Sequence, residues 1–375
     1  MNKIENPFLI YGYGGPEYFC DREHETAALM AALKNGCNLT LKSPRRYGKT
    51  GLIHNAFHFL EKENPEVKCF YVDIYASNTL SDFVMMLGKA VVGQLDTPLQ
   101  RAESYVSKFF RSCQLSMSTD LATGMPQFGL SFMPQYAERT LKEIFDYIDS
   151  SGKVCYIAID EFQQIAEYPE KNVEALLRTY VQTTHNVHFV FAGSKIHMMS
   201  EMFDSPKHPF YRSTEKLNLN VLGEDVYYDF VCSKLAHKGF VLPKEVFHEV
   251  YQSVDGVTWY IQSIMNHLYR LEGCEVTTEL CHSVINMILL TEEDDFKRLY
   301  HLLTATQAHL LVAIAKERVV KEPTSGLFLR TYHIKSPSSV QRSLQYLIDK
   351  EYVYKSESGY IVYDRFFGMW IRHML

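Results

Sequence analysis

The sequence predicts an α/β domain built on a parallel sheet, followed by a helical region and a small C-terminal winged domain. Up to about residue 220, short apolar runs rich in β-branched residues alternate with segments of helical periodicity, which is typical of parallel strands joined by crossover helices. From residue 222 to 300 the helical spacing continues without strand-like runs. Residues 301–375 return to a mixed pattern. We therefore expect domains at 1–221, 222–300 and 301–375.

Five short apolar runs are the predicted strands of the sheet. They lie at residues 37–41, 68–74, 154–159, 188–194 and 215–220, with helices predicted at 26–34, 80–95, 137–150, 173–184 and 196–203. Two further extended segments flank a glycine-containing turn at 122–126, which predicts a β-hairpin inserted at about 114–133. The hairpin is either an element that contacts a partner or an inert elaboration of the core.

The segment Ser43-Pro-Arg-Arg-Tyr-Gly-Lys-Thr50 lies between the first strand and a helix that begins near Gly51. Backbone N–H groups of such a loop and of the first helical turn bind phosphate oxygens. Lys49 is placed to reach the β- and γ-phosphates, and Thr50 to place its hydroxyl on Mg²⁺. Ser43 stands where the motif G-x-x-x-x-G-K-[ST] has its first glycine. The predicted phosphate-binding residues are Ser43, Pro44, Arg45, Arg46, Tyr47, Gly48, Lys49, Thr50 and Gly51.

Two carboxylates, Asp160 and Glu161, directly follow the buried strand at 154–159. The carboxyl ends of parallel strands share one edge of the sheet, which is where ligands bind. We expect Asp160 to hold Mg²⁺ through water and Glu161 to orient and deprotonate a water that attacks the γ-phosphate. Taken together with the loop at 43–50, the pair predicts an ATP hydrolysis site.

Three further residues are candidates for the same site, each with an alternative role. Ser194 ends the strand at 188–194 and is either a γ-phosphate sensor or the N-cap of the next helix, roles that are compatible. Arg212 precedes the last strand and either reaches a γ-phosphate, in its own or a neighbouring subunit, or is a solvated surface residue. Phe19 either lies against the adenine or packs its helix onto the sheet.

Composition is that of an ordinary globular protein, with 46% hydrophobic and 22% charged residues. No uncharged apolar stretch of 18 residues occurs and the N-terminus has no apolar signal region, so a cytoplasmic protein without a membrane span is expected. The eight cysteines include no C-x-x-C pair, and we expect them to be reduced. The fifteen histidines form no cluster with the spacing of zinc ligands.

Residues 301–375 predict a winged helix-turn-helix. Three helices at 307–315, 325–330 and 338–350 are followed by two alternating strands around a turn at 357–359. The segment carries ten Lys/Arg and six Asp/Glu, a net charge of +4, which leaves −10 for the rest of the chain. The third helix presents Gln341, Arg342, Gln345 and Lys350, side chain types suited to duplex DNA. Winged helices also contact proteins, so both partner classes stay open.

These motifs resemble the archaeal/bacterial ATPase family, a STAND-like relative of the AAA+ ATPases. The resemblance is carried by the loop at 43–50, by Ile159-Asp-Glu-Phe-Gln163, by Phe191-Ala-Gly-Ser194 and by the segment at 205–212, with the winged helix behind them. It implies an additional-strand P-loop core that binds ATP and Mg²⁺, a helical domain and nucleotide-controlled switching. It also implies that the Asp21-Arg22-Glu23 segment lies beside the nucleotide base, with Arg22 among the binding residues.

Three functions are consistent with these residues. An ATPase that acts as a regulatory or nucleic-acid-associated switch is favoured, and a DNA-binding regulator that senses ATP or ADP with little turnover is the alternative. A P-loop kinase is disfavoured because Glu161 is placed to activate water and no arginine-rich phosphate lid is evident. An Arg212 acting on a neighbouring subunit would require a homo-oligomer.

Overall fold

The computed structural model describes residues 5–92, 94–95, 112, 114–119, 126–273 and 275–374. It divides into two compact units: residues 11–222 form one, and residues up to Ile10 together with 223–375 form the other. Among the described residues, none of the helices combines the length and apolar character needed to cross a membrane.

The 11–222 unit contains seven strands and six helices among its described residues. The strands are β1 Leu39–Lys42, β2 Lys68–Asp73, β3 Gln114–Thr119, β4 Pro126–Ser131, β5 Cys155–Asp160, β6 Val187–Gly193 and β7 Glu215–Asn218. The helices are α1 Glu23–Lys34, α2 Lys49–Glu63, α3 Leu80–Val91, α4 Ala137–Ser150, α5 Val173–Thr183 and α6 Ile196–Asp204. Short 3-10 helices lie at Pro16–Tyr18, Pro134–Tyr136 and Phe162–Glu167.

The predicted parallel sheet is confirmed, with the strand order β2-β5-β6-β1-β7. β6 lies between β1 and β5, so the strand before the 43–50 loop and the strand before Asp160 are separated by one additional strand. All neighbouring strands run parallel, so their carboxyl ends meet at one edge. That edge brings residues from four separate parts of the sequence to one place.

The predicted hairpin is also present. β3 and β4 pair antiparallel, with Gln114 opposite Ser131 and Thr119 opposite Pro126. The predicted turn at 122–126 lies outside the described residues, apart from its last member. The hairpin forms its own two-stranded sheet and adds no strand to the parallel one.

The parallel sheet is covered on both faces, which is why its strands are near-continuous apolar runs. On β5 all six residues are buried: Ile157 and Ile159 belong to one core, and Tyr156 and Ala158 to the other. The first core includes an aromatic cluster that joins the sheet to the elements after β5 and β6. Its rings are Phe162, Phe191, Phe203 and Phe210. This packing fixes the segments that carry the residues following β5 and β6.

The second unit consists of helices and a short β-ribbon. Its helices are α7 Glu224–Ala236, α8 Lys244–Ser253, α9 Thr258–Tyr269, α10 Thr278–Thr291, α11 Glu293–His301, α12 Ala305–Glu317, α13 Gly326–Thr331, α14 Pro337–Asp349 and α15 Arg365–Met374. The ribbon pairs β8 Val353–Lys355 with β9 Tyr360–Val362. Helices α11 and α15 were not predicted. α11 has a polar sequence in which Phe296 is the buried residue, so its apolar periodicity is weak.

The first described residues pack within this second unit. The Asn6 side chain donates to Asn266 O at 2.9 Å, Asn266 donates to Phe8 O at 2.6 Å, and the Trp259 indole donates to Ile10 O at 3.1 Å. Phe8 is fully buried. Residues 6–10 are therefore anchored on α9, and the chain leaves this unit at Ile10 and returns to it at Gly223.

Candidate nucleotide and catalytic site

The 43–50 loop, the predicted phosphate-binding segment, turns sharply before α2. Arg46 and Gly48 both have positive φ, 74° and 92°, and Gly48 is the N-cap of α2. A φ of 92° is accessible to glycine at little steric cost, which accounts for glycine at this position. Ser43 is fully buried, does not have a positive φ and donates its N–H to Gly193 O at 3.3 Å. Serine is therefore accommodated where the common motif has glycine.

A compact charge cluster lies at the carboxyl edge of the sheet. Lys49 Nζ is 2.7 Å from Asp160 Oδ1 and 3.0 Å from Glu161 Oε1. Lys49 and Asp160 are 7% and 3% exposed, so their charges are held out of water. One ammonium faces two carboxylates, and these three side chains therefore carry a net charge of −1.

Asp160 is further fixed by two hydroxyl groups that share one of its oxygens. Thr50 Oγ1 donates to Asp160 Oδ2 at 3.1 Å, and the Tyr71 hydroxyl donates to the same oxygen at 2.6 Å. Burial of the phenol and the negative charge of Asp160 raise the pKa of Tyr71, so its hydroxyl remains a donor. Sequence analysis did not identify Tyr71, although it lies two residues before the tip of β2.

Glu161 has an unusual backbone and a fully engaged side chain. Its φ is 57°, in the left-handed region that is costly for a non-glycine residue and is concentrated at functional sites. Its Oε2 accepts hydrogen bonds from Ser194 Oγ and Gln163 Nε2, both at 2.6 Å. The N-cap of α6 is Lys195, without a side-chain cap bond, so Ser194 is not the cap and its hydroxyl is directed at Glu161.

The carboxyl groups titrate according to their neighbours. Burial would raise the pKa of Asp160 and of Glu161, but the Lys49 ammonium and the hydrogen-bond donors hold both pKa values below their ordinary values. Asp73 lies at the tip of β2, opposite Asp160 in the strand register. Burial and the charges of Asp160 and Glu161 raise the pKa of Asp73, while a backbone hydrogen bond from Tyr75 opposes the increase.

Phe19 and Arg22 both lie beside the loop. A Cβ atom added to Gly51 would meet the Phe19 ring at 3.0 Å, so this ring rests on the first turn of α2. Arg22 is 5% exposed and donates to the backbone oxygens of Tyr47 and Asn220, besides its 2.7 Å ion pair with Glu25. Arg22 thus holds the 43–50 loop through the backbone of Tyr47, a contact that the sequence did not reveal.

Arg212 lies elsewhere in the unit. It precedes β7, so it is at the amino edge of the parallel sheet, whereas Lys49, Asp160 and Glu161 are at the carboxyl edge. Its side chain is exposed, and its guanidinium lies 5.2 Å from the centre of the Tyr211 ring. The structure therefore does not bring Arg212 into the cluster of its own chain.

The cluster suits a cation that is also held by phosphates. Within the described ranges, no group of three or more His, Cys, Asp or Glu residues forms a metal cage. Mg²⁺ bound to nucleotide phosphates needs one or two protein ligands and keeps several waters. The Thr50 hydroxyl and the Asp160 carboxylate adjoin each other, and Lys49 occupies the position of a cation between the two acids. These residues fit such an ion.

Three of the predicted DNA-reading residues lie on the exposed side of α14, and the fourth, Lys350, directly follows this helix. Gln341, Arg342, Gln345 and Lys350 are all exposed, while Val340, Leu344 and Leu347 are buried on the opposite face. Gln345 Nε2 donates to Asp349 Oδ1 at 2.8 Å, so its amide is partly engaged within the helix. Arg342 is an exposed cation within α14, and Lys350 is a second one at its C-terminal end.

Replacing Lys49 by methionine should destabilise the protein in a pH-dependent way. In the wild type the lowered carboxyl pKa values contribute stability that is present above about pH 4 and is lost as pH falls through the folded-state pKa values. Without Lys49, burial raises both pKa values, so stability falls as pH rises through them. We expect Lys49→Met to cost about 3 kcal/mol or more at about pH 8 and much less at about pH 5.

Denaturant unfolding of the nucleotide-free protein at both pH values measures this difference. Lys62→Met is the matched control, because Lys62 is an exposed lysine at the other end of α2. An equally small loss of unfolding free energy for Lys49→Met at both pH values would contradict the proposal that Lys49 compensates the two buried carboxylates.

Two protein-family models match the sequence. Residues 19–264 match the model of an ATPase domain predominantly from Archaea, and residues 294–373 match a probable winged helix domain. No curated protein matches the chain.

Several solved structures share its fold. A Walker-type ATPase of Pyrococcus abyssi is 16% identical, with a TM-score of 0.68 over 98% of this chain and 99% of its own. The ORC2 protein of Aeropyrum pernix, in ADPNP and ADP complexes, is 15% identical with a TM-score of 0.52, covering 99% and 98%. The ORC1 protein of the same organism, in complex with DNA, is 14% identical with a TM-score of 0.55, covering 99% and 97%. Since the ATPase model covers more than half of the sequence, the chain belongs to this predominantly archaeal ATPase family.

Proposed function

We propose that the protein binds MgATP at the carboxyl edge of its sheet, hydrolyses it to ADP and phosphate, and uses the nucleotide as a switch. The convergence of Lys49, Thr50, Asp160 and Glu161 carries the proposal. Their chemistry matches the requirements of phosphate binding, Mg²⁺ binding and water activation. The sheet order, with β6 between β1 and β5, supports a place among the additional-strand ATPases related to the AAA+ and STAND groups.

The phosphates of the nucleotide would bind the 43–50 loop and the amino end of α2. The N–H groups of the first turn of α2 and the Gly48 turn favour an anion there. Lys49 then exchanges its carboxylate partners for the β- and γ-phosphates. Phe19, which rests on Gly51, provides an apolar surface beside the loop for the base.

A magnesium ion at this site would neutralise charge on the phosphates and on Asp160. Thr50 would be a direct ligand and Asp160 would hold a water of the ion, with Tyr71 fixing the carboxylate orientation. Release of Lys49 to the phosphates would leave the buried acids without their ammonium, and a divalent cation held by Thr50 and Asp160 would compensate for that loss.

Glu161 is the proposed general base. It accepts a proton from water while the water oxygen forms a bond to the γ-phosphorus and the bond from that phosphorus to the bridging oxygen of ADP breaks. Its 57° φ fixes the backbone, and Ser194 Oγ donates a hydrogen bond to the carboxylate. Ser194, which directly follows β6, connects the proposed base to the strand that neighbours β1.

Glu161→Gln should retain ATP binding and lose turnover by about 100-fold or more, because glutamine keeps the shape of the side chain but cannot accept the proton. Phosphate release and equilibrium ATP binding measure the two effects separately. Glu170→Gln, at an exposed site, is the control and should behave as the wild type. Near-normal hydrolysis by Glu161→Gln would remove this residue from the role of base.

Arg212 is proposed to act on the nucleotide of a neighbouring copy, since it lies at the sheet edge opposite to its own site. Arg212→Ala and Lys49→Ala should each be inactive alone. A mixture should recover turnover, because a Lys49→Ala chain still supplies Arg212 to an intact phosphate loop. Wild-type turnover by Arg212→Ala, or two inactive variants that do not complement each other, would contradict this role.

The winged helix is proposed to bind duplex DNA through the exposed face of α14. Its net positive charge and its exposed glutamines and arginine support this partner. The alternative, a regulator that reads nucleotide with little turnover, shares this surface and differs in the hydrolysis rate.

Arg342→Ala should weaken binding to duplex DNA by about tenfold, the cost of one lost arginine contact. Fluorescence anisotropy at fixed salt measures the change, with Arg298→Ala as the control, since Arg298 is 77% exposed on α11. Equal affinity of wild type and Arg342→Ala, or no binding by either, would favour a protein partner for this domain.

A further inference from the structure

Gln163 is a buried amide whose bond to Glu161 has no role in the hydrolysis scheme above. It lies two residues after Glu161, in the 3-10 helix Phe162–Glu167, and it is 2% exposed. Its Nε2 donates to Glu161 Oε2 at 2.6 Å. Ser194 Oγ donates to the same oxygen from the other strand end, also at 2.6 Å. One carboxylate oxygen of Glu161 is therefore occupied by two protein donors.

Gly193 makes the room that Gln163 needs. A Cβ atom on Gly193 would lie closer than 3.0 Å to Gln163 Oε1 and to Met199 Sδ. The φ of Gly193 is not positive, so the requirement for glycine here comes from the neighbouring side chains and not from the backbone conformation. The Gly193 position and the Gln163 amide thus form one packed arrangement next to Glu161.

The Gln163 side chain is less favourable for stability than an apolar side chain would be at the same place. Gln163 Oε1 is buried and has no hydrogen-bond partner among the described residues. An unsatisfied buried acceptor costs about 1–3 kcal/mol, and an apolar side chain of the same length would avoid that cost. A glutamine here is accounted for by the bond that its other amide atom makes to Glu161.

We propose that Gln163, seated against Gly193, is a positioning residue that orients Glu161 so that Oε1 is the oxygen that accepts the proton from the attacking water. The proposal rests on the hydrolytic function proposed above. Oε2 is held by Gln163 and Ser194, whereas Oε1 contacts Lys49 at 3.0 Å. When Lys49 turns to the phosphates, Oε1 becomes free while Oε2 stays occupied.

The energetic consequence concerns the transition state and not ATP binding. Loss of the Gln163 bond lets the Glu161 carboxylate rotate about its side chain, and a displacement of about 1 Å at a reacting group can cost about 100-fold in rate. The Gln163 side chain contacts Glu161 and lies against Gly193, and neither residue belongs to the 43–50 loop, so the affinity for ATP should be unchanged.

The test compares Gln163→Met with Gln164→Met in the full-length protein. Methionine keeps the length and volume of glutamine without its donor, and Gln164 is the adjacent, half-exposed glutamine of the same 3-10 helix. We expect Gln163→Met to lower kcat by about 10- to 100-fold with the ATP affinity and thermal midpoint near those of the wild type. Gln164→Met should match the wild type in all three.

Two further measurements separate positioning from folding. Gly193→Ala should displace the Gln163 amide and lower kcat similarly, and Gly193→Ala/Gln163→Met should be no slower than either single variant. In single-turnover reactions of a Glu161→Gln background, Gln163→Met should have no further effect, because the base it positions is absent.

The outcomes distinguish failure of the proposed hydrolytic function from failure of the positioning role of Gln163. Absence of turnover by the wild type would reject the hydrolytic function itself. Wild-type turnover with an unchanged kcat for Gln163→Met would overturn the positioning role alone. The same rejection would follow from equal losses in the Gln163 and Gln164 variants, or from a loss that persists in the Glu161→Gln background.

Discussion

The structure of the candidate site depends on one buried ammonium group placed between two carboxylates. Lys49 contacts Asp160 and Glu161 at 2.7 and 3.0 Å, and all three groups are largely removed from water. Uncompensated charges in such surroundings are costly, so each partner requires the others. The same arrangement can exchange partners, because phosphates can take Lys49 and a divalent cation can take its place beside the acids. Lys49 compensates part of the carboxylate charge without ligand, and a divalent cation would take over that role with one.

The parallel sheet creates this cluster from distant parts of the chain. β1 delivers the phosphate loop, β5 delivers Asp160 and Glu161, and β6, which lies between them, delivers Ser194. Tyr71 reaches Asp160 from β2 on the far side of β5. Because adjacent strands are fixed by backbone hydrogen bonds and packed on both faces, the donors around the two acids have little freedom. The positions of the clustered side chains are thus a consequence of strand order.

Sequence patterns predicted the features that depend on residues close together in the chain. The phosphate loop, the acidic pair after β5 and the alternation of strands and helices are each readable within a short segment. The contacts of Tyr71, Gln163 and Arg22 were not predictable, because each joins segments whose proximity is set by tertiary packing. The roles of Arg212 and of the hairpin at 114–131 also could not be assigned from local pattern. Arg212 has an ordinary sequence context, and its distance from the site follows from strand direction.

The most direct test of the account is phosphate release from ATP by the wild-type protein, in excess Mg²⁺ and after its removal by EDTA. In the proposed site Mg²⁺ compensates the negative charges of Asp160 and of the phosphates. We therefore expect turnover in Mg²⁺ and loss of turnover in EDTA. No turnover in Mg²⁺ by protein that still binds ATP would contradict the central claim that this cluster is a hydrolytic site.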